Sequence, residues 1–194
     1  YRIKRITESS TIFDNPEEYS LTAKKGRVTI SGNRQWALQS LEQLKDENGR
    51  IPDIEIHDWP SYPFRAFMHD TGRNFQSVEM LKETLDLMSL YKLNYFHWHL
   101  TDDQGWRYES RSLPELAPKG SYCPELVTLD DDGLEPLPTS EKTGYYYTRE
   151  QLKDIVAYAA MRGIEIVPEI DMPGHSDYFK NTFGFGTQNC MTDN

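Results

Sequence analysis

The sequence predicts an α/β fold: a parallel sheet covered by helices, with a small α+β unit ahead of it. Three observations predict it. From Phe64 onward, short apolar strands alternate with amphipathic helices, which is the pattern of parallel β–α–β units. The residues that follow the predicted strands are polar and charged: Asp70 and Arg73, then Thr101, Asp102 and Asp103, then Asp171 and His175. Before Pro63 the pattern is different, a hairpin and one helix.

The elements follow in chain order. Tyr19–Ala23 alternates weakly, Lys25-Gly26-Arg27 punctuates, and Val28–Ser31 is β-branched, so a hairpin is expected. Asn33 then precedes a helical stretch with Ala37, Leu38, Leu41 and Leu44 near helical spacing, ended by Asp46-Glu47-Asn48-Gly49. Ile54-Glu55-Ile56 reads as a short strand, and Trp59-Pro60 and Tyr62-Pro63 mark a boundary. Phe64–Met68 is the next strand, ending in His69-Asp70. A helix follows from about Ser77, with Leu81, Leu85 and Met88 on one face. Tyr95–Leu100 is an aromatic strand. Thr148 and Gln151 form a capping box for a further helix, whose buried face is read as Leu152, Ile155, Val156 and Ala159. Gly163 supplies its left-handed stop, and Ile164–Ile170 is the next strand. The long connection from Gly105 to Tyr147 has little periodicity and holds the run Asp130-Asp131-Asp132, read as a solvated turn rather than a calcium loop.

Composition narrows the function. The 194 residues carry 21 basic and 31 acidic side chains, a net charge of −10, which argues against a nucleic-acid partner. No apolar run approaches the roughly 18 residues of a membrane span. Cys123 and Cys190 rule out a disulfide scaffold and a four-cysteine zinc site. No glycine-rich phosphate loop and no serine-centred nucleophile elbow is present; Gly184-Phe185-Gly186 carries no cofactor signal by itself.

In parallel sheets ligands meet the C-terminal ends of the strands, so the polar strand ends are the candidate site. His97 and His99 share a strand face and could begin a metal site with Asp102 or Asp103, although a lone His-x-His does not supply the three ligands of a catalytic zinc. Hydrogen-bonded core histidines are the other reading. Arg73 follows Gly72, which is read as allowing a sharp turn, and its guanidinium suits hydroxyl or carboxylate recognition, or an internal ion pair with Asp70. Asp102 and His175 could form a relay that tunes an acid–base residue, or a stabilising polar pair. Glu169 and Asp171 share a face and, if both were buried there, would share protons.

Four blocks then carry a resemblance. They are Arg65–Arg73 (RAFMHDTGR), Leu93–Arg107 (LNYFHWHLTDDQGWR), Gly144–Thr148 (GYYYT) and Val167–Ser176 (VPEIDMPGHS). In this order they make residues from about Phe64 to Met191 similar to the catalytic domain of glycoside hydrolase family 20, the β-N-acetylhexosaminidases. The part before them resembles, more loosely, the small α/β domain that precedes the barrel in that family.

The resemblance implies the front portion of a (β/α)8 TIM barrel over residues 61–194, incomplete, preceded by part of a small α+β domain over residues 1–60. It implies a glycan or chitooligosaccharide substrate whose terminal N-acetylhexosamine is removed, and no metal or other cofactor. The implied mechanism is substrate-assisted and retaining: the 2-acetamido oxygen attacks the anomeric carbon, an aspartate orients that group, and the adjacent glutamate protonates the leaving oxygen. By motif position Arg73 would bind sugar hydroxyls, and Asp102 and His175 would hold and tune the acid glutamate. The family's catalytic Asp-Glu pair follows the fourth barrel strand and is expected beyond Asn194; Asp46-Glu47, at a helix end in the other unit, is no substitute. The isolated chain is therefore expected to be inactive, and its exposed sheet edges to favour self-association. A periplasmic or secreted location is the expectation from the substrate class. A metal-dependent hydrolase built on His97 and His99, and a noncatalytic sugar-binding half-barrel, are the alternatives.

Overall fold

The computed structural model describes residues 1–121 and 145–184. Cys123, Cys190, the Asp130–Asp132 run, Gly144 and the Phe185-Gly186 part of the glycine pair lie outside the described residues. In the first unit, β1 (Arg5–Glu8), β2 (Tyr19–Lys24), β3 (Arg27–Gly32) and β4 (Ile54–Asp58) form one sheet in the order β1-β3-β2-β4. β2 and β3 are the expected hairpin, turned by Lys25 and Gly26 in the left-handed region. One face of this sheet packs on α1 (Arg34–Gln43), which Asn33 caps by accepting the Trp36 N–H. Tyr19, Leu21, Val28, Ile30, Trp36, Ala37 and Leu41 bury together because strand parity and helical spacing put them on facing surfaces.

The second unit is a three-stranded parallel sheet in the order β5-β6-β9: β5 (Ala66–Asp70), β6 (Tyr95–His99) and β9 (Glu165–Glu169). The β5 strand lies two residues later than the periodicity predicts at both ends. Before it, the Arg65 N–H donates to the Asn94 side chain instead of entering a ladder. Helix α2 (Val78–Leu90) follows β5 and is capped by Ser77; α4 (Arg149–Ala160) precedes β9 and carries the full Thr148–Gln151 capping box. Leu81, Leu85, Met88, Phe96, Trp98, Ile155 and Ala159 form the core between sheet and helices. Val156 corrects the expected buried face of α4: it is exposed, 90° or so around the helix from the Ile155–Ala159 stripe, beside an apolar groove against β9.

The connection from Gly105 to Tyr147, expected to be irregular, holds β8 (Gly105–Trp106) and α3 (Leu116–Gly120), and β7 (Thr101–Asp102) lies just before it. β7 and β8 form a small antiparallel pair, and α3 follows. With α5 (Asp177–Phe183) they bury Trp106, Leu116, Ala117 and Tyr178 in a third cluster. The two sheets are tied together by Glu17, whose carboxylate accepts both Arg65 terminal nitrogens at 2.8 and 3.0 Å, and by Lys92, which donates to Tyr19 and Asp58.

Candidate active site

Register builds the site. Asp70, His99 and Glu169 are direct neighbours across β5, β6 and β9, so three ionisable side chains stand in one row at the C-terminal edge of the sheet. The loop after β5 folds over this row. Arg73 donates from its backbone N–H to Asp70 Oδ1 at 3.0 Å and from Nη1 to Asp70 Oδ2 at 2.6 Å. Its Nη2 reaches Asp102 Oδ2 at 2.8 Å while the side chain stays half-exposed.

Gly72, which precedes Arg73, is not the sharp turn the sequence suggests. It has no left-handed φ; instead a β-carbon there would lie 2.9 Å from the Asp102 backbone nitrogen and the Thr101 carbonyl carbon. The position demands close approach of two backbones, and glycine alone leaves room. Arg107 locks the approach from behind. It is buried, and its guanidinium donates to the carbonyls of Thr71, Gly72, Ser121 and Tyr145. Trp98 Nε1 donates to Thr71 Oγ1, fixing the other side of the same loop.

Asp102 is the centre. It is 1% exposed and both its oxygens are engaged. Oδ2 meets Arg73 Nη2 and His99 Nε2 at 2.8 and 2.9 Å. Oδ1 accepts the Asp103 N–H at 2.7 Å and faces His175 Nδ1 at 3.3 Å. His175 sits in the left-handed region at φ 54°, after Gly174, and its ring is half-exposed. The segment that carries it is anchored by Asp171 N–H donating to Thr101 Oγ1, by Asp177 N–H donating to Asp103, and by Tyr178 donating to the Asp171 carbonyl. Burial pushes the Tyr178 hydroxyl up to about 12, so it remains a donor at neutral pH.

The sequence-predicted residues Arg73, Asp102 and His175 therefore converge on one carboxylate. Two readings are answered together for Arg73: it is ion-paired with Asp70 and still presents a half-exposed guanidinium at the rim. His97 and His99 do share a face, and both face Glu169 Oε2, at 2.5 and 3.0 Å. Donor atoms of Asp70, His99 and Asp102, of His99, Glu169 and Asp171, and of Asp102, Asp103 and His175 lie within 4.8 Å of one another, close enough for a cation, though each set is already internally paired.

Glu169 and Asp171 do come together, but the expected proton sharing does not describe Glu169. Burial pushes its carboxyl up, and His99 and His97 outweigh this and hold it below the usual carboxylate value. His99 behaves in the complementary way. Burial disfavours its charge, and the Asp102 and Glu169 carboxylates overcome that and raise its pKa. Asp70 is lowered, because the Arg73 hydrogen bonds and the His99 and Arg73 charges outweigh its burial. The residue given no role from sequence is Arg107; His99 and Glu169 are candidates there, but in other pairings, His99 with His97 and Glu169 with Asp171. Period-two parity puts each on a shared face of its own strand, and what it cannot give is the register that sets His99 beside Glu169.

A buried carboxyl group surrounded by donors orients the imidazole beside it. Arg73 adds a planar cation at the solvent edge, able to donate to hydroxyl groups of a polar ligand. Chemically, such an arrangement is able to donate hydrogen bonds to a hydroxylated ligand at Arg73 and to orient an imidazole at Asp102.

Comparison with known proteins matches this geometry to a family. A model described as glycosyl hydrolase family 20, catalytic domain, covers residues 62–188. The β-hexosaminidase of Vibrio furnissii is 44% identical over 141 residues, which is 72% of this chain and 22% of that protein. The β-N-acetylhexosaminidase structure from Bacteroides fragilis matches with a TM-score of 0.75 at 35% identity, over 92% of this chain and 35% of that one. The exo-β-N-acetylglucosaminidase structure from Vibrio harveyi in complex with N-acetylglucosamine matches with a TM-score of 0.72 at 33% identity, over 92% of this chain and 29% of that one. The chain thus spans well under half the length of the relatives it matches. The matched residues contain all three strands of the parallel sheet and every side chain of the Asp102 cluster, and the chain belongs to glycoside hydrolase family 20.

Proposed function

We propose that this chain is the front part of the catalytic unit of a β-N-acetylhexosaminidase, which removes terminal N-acetylhexosamine from glycans or chitooligosaccharides. The convergence of Arg73, His99 and His175 on the buried Asp102 carries the reading, together with the family. In this reading β5, β6 and β9 are the first strands of a (β/α)8 barrel spanning residues 61–194 and beyond, and residues 1–60 are part of a preceding small domain. The apolar groove between α4 and β9, lined by Leu152, Val156, Ile166 and Ile170, is where a following strand and helix would pack.

The chemistry divides between bound sugar and protein. The sugar's acetamido oxygen attacks the anomeric carbon, so the protein supplies no nucleophile; it supplies an acid for the leaving oxygen and holds the acetamido group. Arg73 binds ring hydroxyls at the cleavage point. Asp102 fixes His175 by Nδ1, which leaves Nε2 to face the acid glutamate and help set its proton affinity. In this reading that glutamate and its partner aspartate come from a later strand of the barrel. A periplasmic or secreted location is part of this proposal, supported by the substrate class alone.

The test compares the full product of the gene with the 194-residue chain on 4-nitrophenyl N-acetyl-β-D-glucosaminide and the galactosaminide. Hydrolysis by the full product and none by the chain is the expected result. A full product inert on both sugars would sink the proposed activity, and turnover by the purified chain would sink the placement of the acid.

A further inference from the structure

His99 has a chemistry that neither the strand ends nor the roles of Arg73 and His175 explain. Its ring is 96% enclosed, and each ring nitrogen faces a carboxylate: Nε2 stands 2.9 Å from Asp102 Oδ2, and Nδ1 stands 3.0 Å from Glu169 Oε2. Neither Nδ1 nor Glu169 Oε2 makes an aligned hydrogen bond to any described residue, so their approach is an ion-pair contact between two buried atoms that each still need a partner. A neutral imidazole carries one N–H, so it can satisfy one carboxylate while turning a lone pair on the other. Two carboxylates at opposite nitrogens are both satisfied only by the doubly protonated ring.

The surroundings point the same way. From β5 come Asp70 and, just after it, Arg73; from β6 itself comes His97; from the turn that follows come Asp102 and Asp103; from β9 and its end come Glu169 and Asp171. Four carboxyl groups, of Asp70, Asp102, Glu169 and Asp171, and the Arg73 guanidinium surround the ring, with Asp103 and His175 on the far side of Asp102, so a further cation is favoured there. His97 also leans on Glu169, at 2.5 Å, which holds that carboxylate in line with His99.

We propose that His99 is a positioning residue whose two N–H groups tie Asp102 to Glu169 and so fix the carboxylate that holds His175 and Arg73. It joins the end of β6 to the end of β9, and touches no ligand itself. The inference rests on the glycosidase reading only for its catalytic meaning; the tie itself is a property of the chain.

The test is nuclear magnetic resonance on the 194-residue chain. Long-range nitrogen–proton spectra report the protonation of each histidine nitrogen, and carbon spectra report the Asp102 carboxyl. His99 is expected to titrate above the ordinary histidine value of 6.5, with both nitrogens protonated below its midpoint. Glu169→Gln is expected to lower that midpoint and to shift the Asp102 carboxyl resonance. In a His99→Gln background the same substitution should leave Asp102 unmoved, because the connection is gone. A single neutral tautomer with a midpoint at or below 6.5 overturns the proposal, as does an Asp102 shift of equal size with and without His99. Should His99→Gln not fold, the wild-type and Glu169→Gln spectra decide alone. Loss of sugar hydrolysis in the full gene product would sink the glycosidase reading and leave these titrations as they are.

Discussion

Asp102 shows how much a single side chain can organise. Its carboxylate gathers a guanidinium, two imidazoles and a backbone N–H, so each partner's charge depends on the others. That makes stability depend on pH with a definite sign. The folded pKa of His99 is raised above 6.5, so its contribution is fully present below that value and is lost as pH rises through the folded midpoint. Glu169 is lowered from 4.5, so its contribution is present above that value and is lost as pH falls. The pair therefore contributes most between about 4.5 and 6.5. His69 opposes this trend: burial lowers its pKa, so the folded state loses stability as pH falls below 6.5. Comparing wild type with His99→Gln removes that background. The difference in Tm is predicted to be widest near pH 6 and to narrow toward alkaline pH, in thermal melts followed by circular dichroism; a gap independent of pH would contradict it.

Elements were legible where local chemistry decides them. Asn33, Ser77 and Thr148 cap helices where the sequence places them, because a side-chain oxygen followed by apolar periodicity has few other uses. Gly163 ends α4 at φ 70°, and an added β-carbon would press on the Trp36 ring of the other unit at 3.3 Å. Thr148→Ala is predicted to cost about 1 kcal/mol in urea unfolding, since it removes the hydroxyl that accepts the Gln151 N–H and leaves only the backbone N–H of residue 148 donating to the Gln151 side chain; a loss near zero would show that packing alone holds the helix start. What the sequence hid depends on contacts distant along the chain. β7, β8, α3 and α5 are too short for periodicity, and they exist because Trp106, Leu116 and Tyr178 share one small core. Gly72 was misread for the same reason: the crowding that requires it comes from Asp102, thirty residues on. Arg65, Asp70 and Arg73 were legible as motif positions, whereas Arg107 holding the Thr71-Gly72 loop by its carbonyls was visible only in three dimensions.

At the scale of the whole molecule, the parallel sheet has an outer strand on each side, β5 and β9, with no further strand beside either among the described residues. Phe67, Met68, Val167 and Ile170 are each more than 40% exposed on these strands or just beyond β9, a pattern foreign to a closed parallel sheet, whose strands are covered on both faces. No helix among the described residues is long and apolar enough to cross a membrane. Unpaired edges and an uncovered apolar face favour pairing with another chain. Sedimentation velocity of the 194-residue chain at micromolar concentration is predicted to show species larger than a monomer; one stable monomeric boundary would contradict this.

The central claim is that the strand-end cluster around Asp102 is the sugar site of a β-N-acetylhexosaminidase, and Arg73 is the member that touches ligand. The most direct measurement is kcat/KM of the full gene product on 4-nitrophenyl N-acetyl-β-D-glucosaminide, wild type against Arg73→Ala. Losing hydrogen bonds from a charged donor costs about 1.5–3 kcal/mol, so the account predicts a fall of roughly tenfold to a hundredfold. Because Arg73 also pairs with the buried Asp102, some fall in Tm is expected as well, so kcat/KM is compared at a temperature where both proteins are folded. An Arg73→Ala enzyme that folds and keeps the wild-type kcat/KM would contradict the account.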